Sequence, residues 1–297
     1  MSRHWLIHDH FYPGAKSLRR YYDQQFADPL QAHAKRFVWD YWHVPGQYSL
    51  LRTPAFHYFP QLIYRRWHEH LVQWGREVLG CHDISPPWLS CYIQGCEQEL
   101  HADHPHGPWA FVFSLTPWTT RKFSGGETCL FRPSVLQNWA AGNRQQPTES
   151  EQLMARIAPR FNRLTVFDPR LPHAVRAVHG SGDPRLGRLV MHGWFVQPRP
   201  FFKGPLKESQ VAEILHQGLQ TFGEQIADQE LTGYVSLKIK IQNDGQVHKM
   251  QLLTNTLVGP PSGLRRVNQQ LKQQIRAWRF PKARQNTVLT LPIRFGL

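Results

Sequence analysis

Between residues 86 and 197 the chain is cut into short β-type runs, at 89–93, 109–116, 128–131, 164–167, 174–178 and 187–196, punctuated by Gly, Pro, Asn and Asp. Several short strands with turn residues between them point to a sandwich or barrel. The preceding residues have a different pattern. Residues 16–36 carry Leu18, Tyr21, Tyr22 and Phe26 in a helix-forming background that Pro29 interrupts. Residues 57–79 place Leu62, Trp67, Leu71, Val72 and Leu79 at roughly helical spacing, up to the stop at Pro86-Pro87. Residues 132–163 are polar and read as a partly helical insertion among the strands. The pattern predicts a mainly β fold with supporting helices.

After a linker at Pro198-Arg199-Pro200 the pattern changes again. Residues 205–230 read as a polar helix with Val211, Ile214, Leu215 and Leu219 on one stripe. Val235, Leu237, Ile239 and Ile241 then alternate with Ser236, Lys238 and Lys240, the period of a half-buried strand. Asn243-Asp244-Gly245 signals a hairpin, and residues 247–253 return. A helix carrying Val267, Leu271, Ile275 and Trp278 on one face comes next, and a last strand alternates Leu289, Leu291, Ile293 and Phe295. This β-β-α-β order predicts a small α+β domain. A length of 297 residues carries a prior of two domains. The expected division is 1–200, with helical support over 1–85 and a β core over 86–197, and 205–297 with its leading helix.

Hydrophobic residues make up 41% of the chain, enough to bury cores, which excludes disorder as the main state. The net charge is +14. That excess suggests an anionic partner such as nucleic acid, a membrane surface or an acidic ligand. Half of it lies in residues 201–297, where 13 Lys and Arg face 6 Asp and Glu. This weakens the nucleic-acid reading for the first domain and ties the charge to the second. No apolar run is long enough to span a bilayer, and residues 1–10 lack a hydrophobic signal segment. Cys81, Cys91, Cys96 and Cys129 form no CxxC pair, so they are expected to be buried reduced thiols in a cytoplasmic protein.

The informative segment is Leu100-His101-Ala102-Asp103-His104-Pro105-His106. A His-x-Asp at a strand end sets an imidazole and a carboxylate on one side of the chain. His173, at the mouth of another β run, supplies a third ligand. Two histidines and one carboxylate leave positions open on non-haem Fe(II) for a cosubstrate and O2. On the run 187–196, Arg188, Val190, His192 and Trp194 share a face. An arginine on an otherwise apolar strand is expected to face inward and needs an anion, for which a carboxylate is the natural partner.

His101-x-Asp103, His173 and Arg188 resemble the iron- and 2-oxoglutarate-dependent dioxygenases, in the prolyl 4-hydroxylase-like branch. Tyr92-x-x-Gly95, the Ser124-Gly125-Gly126-Glu127-Thr128 hairpin and His173-x-Val175 carry the same resemblance, over roughly residues 80–197. It implies a double-stranded β-helix (jelly roll), with His101, Asp103 and His173 on Fe(II), and Arg188 on the far carboxylate of 2-oxoglutarate. Tyr92 is placed beside that cosubstrate. Arg185 is the alternative anchor, because the spacing from His173 to Arg188 is long; strand context favours Arg188. His192, Trp194 and His104 are expected in or near the pocket. Gly125 and Gly126 are read as turn glycines. O2 is the further cosubstrate and ascorbate an accessory reductant.

Residues 233–295, with Asp244-Gly245-Gln246-Val247, Trp278-Arg279-Phe280-Pro281 and the terminal strand, are similar to the TonB C-terminal domain and its AgmX/PglI-type relatives. That resemblance implies recognition of a protein partner by strand addition, with a structural appendage that has no partner as the other reading. The expected activity is hydroxylation of a C–H bond, on a peptidyl side chain first and a small metabolite second, with release of succinate and CO2. The alternative is a non-catalytic module that binds nucleic acid or acidic protein.

Overall fold

The computed structural model describes residues 4–28, 30, 33–104, 106–133, 153–180 and 182–296. The first elements are β1 (Trp5–His8), α1 (Ala15–Gln25), β2 (Asp40–Val44), β3 (Tyr48–Pro54), α2 (Ala55–Tyr58), α3 (Gln61–Val78) and β4 (Cys81–Ile84). Then come β5 (Trp88–Tyr92), β6 (Glu97–His101), β7 (Trp109–Ser114), β8 (Thr128–Phe131), β9 (Met154–Ile157), β10 (Arg163–Phe167), β11 (His173–Val175) and β12 (Arg188–Pro198). The chain ends with β13 (Phe201–Lys203), α4 (Glu208–Gln225), β14 (Gly233–Ile241), β15 (Val247–Asn255), α5 (Pro261–Ala277) and β16 (Thr287–Phe295). It divides into two compact units, one of residues 5–71 and 84–196, the other of residues 1–4, 72–83 and 197–297.

The larger unit is a jelly roll. Its antiparallel sheet runs β1-β10-β7-β12-β5-β3-β6-β11-β8-β9, with β2 hairpinned onto β3. Chain neighbours are rarely sheet neighbours along this path, because the sheet curls so that β5, β7 and β12 form one wall and β6, β8 and β11 the other. Side chains alternate across the wall strands, so Trp88, Ser90 and Tyr92 on β5 share the inner face with Arg188, Val190 and His192 on β12. On the outer side the rings of Trp67, Phe111 and Phe113 pack against one another and are fully buried. Burial of each such ring stabilises by roughly 1.5–3 kcal/mol.

Two expectations about this unit need correction. Leu62 is 62% exposed, whereas Trp67, Leu71, Val72 and Leu79 are buried. Leu62 precedes Trp67 by five positions, well over a full helical turn, which rotates it off the buried stripe. The helix expected over 16–36 ends at Gln25, and among the described residues up to 36 a single 3-10 turn succeeds it, at Ala34–Arg36. Pro29 lies outside the described residues. Of the expected insertion at 132–163, residues 134–152 lie outside the described residues. The described part includes a strand, β9, which pairs with β8 from Ile157↔Thr128 to Met154↔Phe131.

The other unit carries a four-stranded sheet in the order β13-β16-β14-β15. One face of β14, with Val235, Leu237, Ile239 and Ile241, packs on α5 through Val267, Leu271 and Ile275, and on α4 through Val211, Leu215 and Phe222. The alternation in the sequence predicts an exposed opposite face, yet Tyr234 and Ser236 are buried there. Their hydroxyls donate to the carbonyls of Leu79 (2.7 Å) and Val78 (2.7 Å), and Thr290 Oγ1 donates to that of Glu77 (3.0 Å). Carbonyls at a helix C-terminus lack intrahelical partners, and these three hydroxyls supply them. Gly218 in α4 has a separate purpose: a Cβ there would lie 2.3 Å from Trp278 Nε1, so only glycine lets the indole close onto the helix.

Candidate metal centre

His101 is the last residue of β6 and His173 the first of β11, and the register sets them directly opposite each other. Their ring centroids are 4.2 Å apart. Asp103 lies two residues past β6, and its backbone N–H donates to Pro169 O (3.0 Å), which turns the chain back over the histidines. Asp103 Oδ1 lies 3.6 Å from His101 Nε2 and Oδ2 lies 3.3 Å from His173 Nε2. Among the described residues these three form the one group whose ligand atoms converge in the manner of a metal site.

The second ring nitrogens explain the convergence. His101 Nδ1 donates to Glu99 O (2.8 Å) and His173 Nδ1 to Leu171 O (2.9 Å). Each carbonyl fixes the tautomer, leaving the Nε2 lone pair aimed at the shared point. Gln98 Nε2 donates to His101 Nε2 (3.1 Å). Burial, reinforced by the neighbouring His173, lowers the pKa of His101 and favours the neutral imidazole that ligates metal. Burial alone would raise Asp103. The adjacent His173 imidazole, then His101 and the Trp194 indole N–H (3.2 Å), outweigh it and hold the carboxyl below its usual range. The donor set is two imidazole nitrogens and one carboxylate oxygen, open to a cavity of about 490 Å3.

Arg188 lies at the inner end of that cavity and is 1% exposed. Its strand partner is Tyr92, whose ring centroid is 4.5 Å from the guanidinium carbon. Nη2 donates to Thr128 Oγ1 (3.1 Å), while Nε and Nη1 are buried without a hydrogen-bond partner. Burial lowers the pKa of Arg188, yet a guanidinium remains charged. A buried cation with two unmet donors calls for an anion with two acceptor oxygens. Gly126 makes the space, at φ +76°, where a Cβ would lie 2.9 Å from the Phe123 ring and 3.4 Å from Arg188 Cδ. Both Gly125 and Gly126 have the positive φ expected of turn glycines. Arg185 is placed elsewhere: it is exposed and forks onto its own neighbour Asp183 (2.8 Å).

His192 and Trp194 line the cavity. His192 Nε2 and Ser90 Oγ share a hydrogen bond of 2.8 Å, and burial, with Arg188 nearby, pushes His192 down to about 4, so it is neutral at pH 7. His104 is exposed and does not line the cavity; His106 does, with its ring 4.5 Å from that of Trp194. The sequence reading missed a third side of the cavity: Trp42, Tyr48, Leu50 and Arg52 of the β2–β3 hairpin, facing Trp88. The turn residues Pro45-Gly46-Gln47 between two five-residue flanks were the available signal.

No curated protein matches the chain in sequence. Similar solved structures include a Pseudomonas putida prolyl-4-hydroxylase, with 16% identity, 65% of this chain and 92% of that one covered, and a TM-score of 0.46. Another is a viral collagen prolyl hydroxylase from Paramecium bursaria Chlorella virus-1 in complex with 2-oxoglutarate (13%, 65% and 95%, 0.40). A third is HygX from Streptomyces hygroscopicus with nickel and 2-oxoglutarate bound (12%, 64% and 82%, 0.43). The family model of the 2OG-Fe(II) oxygenase superfamily, whose members use Fe(II), 2-oxoglutarate and O2, matches residues 87–196. That span holds the His101–Asp103–His173 cluster and the buried Arg188, and with it the chain carries a 2OG-Fe(II) oxygenase domain.

Proposed function

We propose that the chain hydroxylates a C–H bond of its substrate, with His101, Asp103 and His173 as the metal ligands and Arg188 as the anchor of 2-oxoglutarate. The observation that carries this reading is the pairing of a converging two-His, one-Asp donor set with a buried guanidinium that has two unmet donors in the same cavity. When bound, Fe(II) with 2-oxoglutarate supplies the oxidation: one atom of O2 enters the alcohol, the other enters succinate, and CO2 leaves. The chain's own residues bind and orient. The carbonyls of Glu99 and Leu171 hold the imidazole tautomers, and the Trp194 N–H fixes one Asp103 oxygen. Arg188 takes the distal carboxylate, and Tyr92 covers the guanidinium face and keeps water from it. His192, neutral and tied to Ser90, adds no charge to the chamber.

A peptidyl side chain is the first substrate class and a small metabolite the second. For the C-terminal unit we infer a protein-recognition role, supported by the likeness of residues 233–295 to TonB C-terminal domains. A cytoplasmic location fits the four cysteines, all buried free thiols. Among the described residues no helix is long and apolar enough to cross a membrane.

The test is anaerobic titration of the full chain with Fe(II) and 2-oxoglutarate, and then measurement of succinate on admission of O2. A weak visible charge-transfer band and succinate formation are expected, both lost in Asp103→Ala. Succinate production retained by that variant, dependent on Fe(II), would remove Asp103 from the ligand set.

A further inference from the structure

The substrate side of the cavity carries a second cation. Arg52 on β3 points inward between two indoles, its guanidinium carbon 2.9 Å from the Trp42 ring centroid and 4.0 Å from that of Trp88. Stacking on both faces leaves only the in-plane N–H edge available for hydrogen bonds. On that edge Nε is shielded from water and has no partner. Asp40, its cross-strand neighbour on β2, and Tyr48 act on it electrostatically and offset part of the desolvation.

Arg52 is not a second hand on the site of Arg188. Its register partner is Ser90 on β5, which pairs with Val190 on β12, two residues beyond Arg188. The two arginines are thus one rung along and two strands across from each other, on the order of 10 Å between backbones. Charge balance separates them as well, and here the inference rests on the function proposed above. A divalent metal and Arg188 are neutralised by Asp103 and the two carboxylates of 2-oxoglutarate. Glu99, the other acid of the lining, is exposed at the rim, and Asp40 is exposed outside the lining and makes no ion pair with Arg52, so half-buried Arg52 is the lining's remaining cation.

We propose that Arg52 anchors an oxyanion of the primary substrate, a carboxylate or a phosphate, carried beside an apolar or planar group that packs on Trp42, Tyr48 and Trp88. A guanidinium held edge-on between two indoles is pre-organised for bidentate recognition and loses little freedom on binding. The substrate is therefore selected by charge and flatness together.

The test is calorimetric titration of the full chain, loaded anaerobically with Fe(II) and excess 2-oxoglutarate so that the Arg188 end is filled. The probes are hydrocinnamate, phenyl phosphate and the uncharged hydrocinnamamide. Wild type is expected to bind one of the two anions at least tenfold more tightly than the amide, and which anion wins identifies the oxyanion. Arg52→Gln is expected to lose that preference, and Arg52→Lys, which keeps the charge without the fork, to retain part of it. If the amide and both anions bind wild type alike, or if Arg52→Gln keeps the full preference, Arg52 is not the anchor. Should the Gln variant not fold, the wild-type and Lys titrations decide alone. Failure of wild type to bind 2-oxoglutarate would instead overturn the dioxygenase reading. In that event the same probes on Arg188→Gln without cosubstrate still test Arg52, with the anion preference retained if the proposal holds and absent if it does not.

Discussion

Replacing Arg188 by Met separates what this residue does for the fold from what it does for the cosubstrate. In the ligand-free protein the guanidinium loses on two counts, since Nε and Nη1 are buried and unpaired. Each unmet donor costs about 1–3 kcal/mol. Against that stand one bond to Thr128 and the contact with the Tyr92 ring, worth together about 2–4 kcal/mol. The terms nearly cancel, so Arg188→Met without ligand should melt within a few degrees of wild type, as apolar replacements of buried ions often do. Ligand breaks the balance. At 2-oxoglutarate a hundredfold above its Kd, wild type gains about 2.7 kcal/mol, a rise in Tm of roughly 5–11 °C for a domain of this size. The Met variant should gain none. Differential scanning fluorimetry with metal, with and without 2-oxoglutarate, reads both quantities. A ligand-free variant destabilised by more than about 4 kcal/mol would show that the cation already has its partner in the fold. An equal ligand shift in both proteins would place the anchor elsewhere.

Gly218→Ala should destabilise by about 1–2 kcal/mol in urea unfolding, although alanine is the better helix former by about 1 kcal/mol, because the new methyl meets the Trp278 indole. A stabilised variant would show that the indole moves freely. Burial pushes Cys81 and Cys91 up to about 12 from an ordinary value of 9.0, so native protein at pH 8 should resist thiol reagents that label both cysteines in denaturant. The same shift fixes a sign. These thiols stay protonated in the fold while the unfolded chain ionises, so stability is full below pH 9 and falls as pH rises from 9 toward 12. A melting temperature flat across that window would argue against it.

The parts of the molecule legible in the sequence are those where one chemical requirement dominates. The alternation of Val235, Leu237, Ile239 and Ile241 reads directly as a strand because one of its faces is buried throughout. His101, Asp103, His173 and Arg188, the proposed ligands and anchor, stand out in the sequence because such residues at or just past strand ends suggest a site. The extent of β6 is less legible than its end: Glu97-Gln98-Glu99-Leu100-His101 has no apolar face, and its strand geometry comes from pairing with β3 and β11. The β2–β3 hairpin escapes for the same reason, since most of β2 is exposed and its pattern is aromatic and charged rather than alternating. With it escaped Arg52, whose role depends on two indoles, at 42 and 88, that only the folded sheet brings to its faces. Leu62 shows the opposite error, an apolar residue whose helical phase sets it in solvent.

The cross-strand pairing of His101 with His173 bears on how such a chain can diverge. The distance between the two imidazoles is set by a ladder of hydrogen bonds between β6 and β11, so the number of residues in the connection from 104 to 172 does not enter it. Segments can be added or lost between the strands of that connection, away from Pro169 and Leu171, without retuning the ligands. A single-residue insertion within 97–101, by contrast, would turn one imidazole to the far side of the sheet. Length variation among descendants of this chain should therefore collect in that connection, where new substrate contacts can be tried, while the two short strands hold their length.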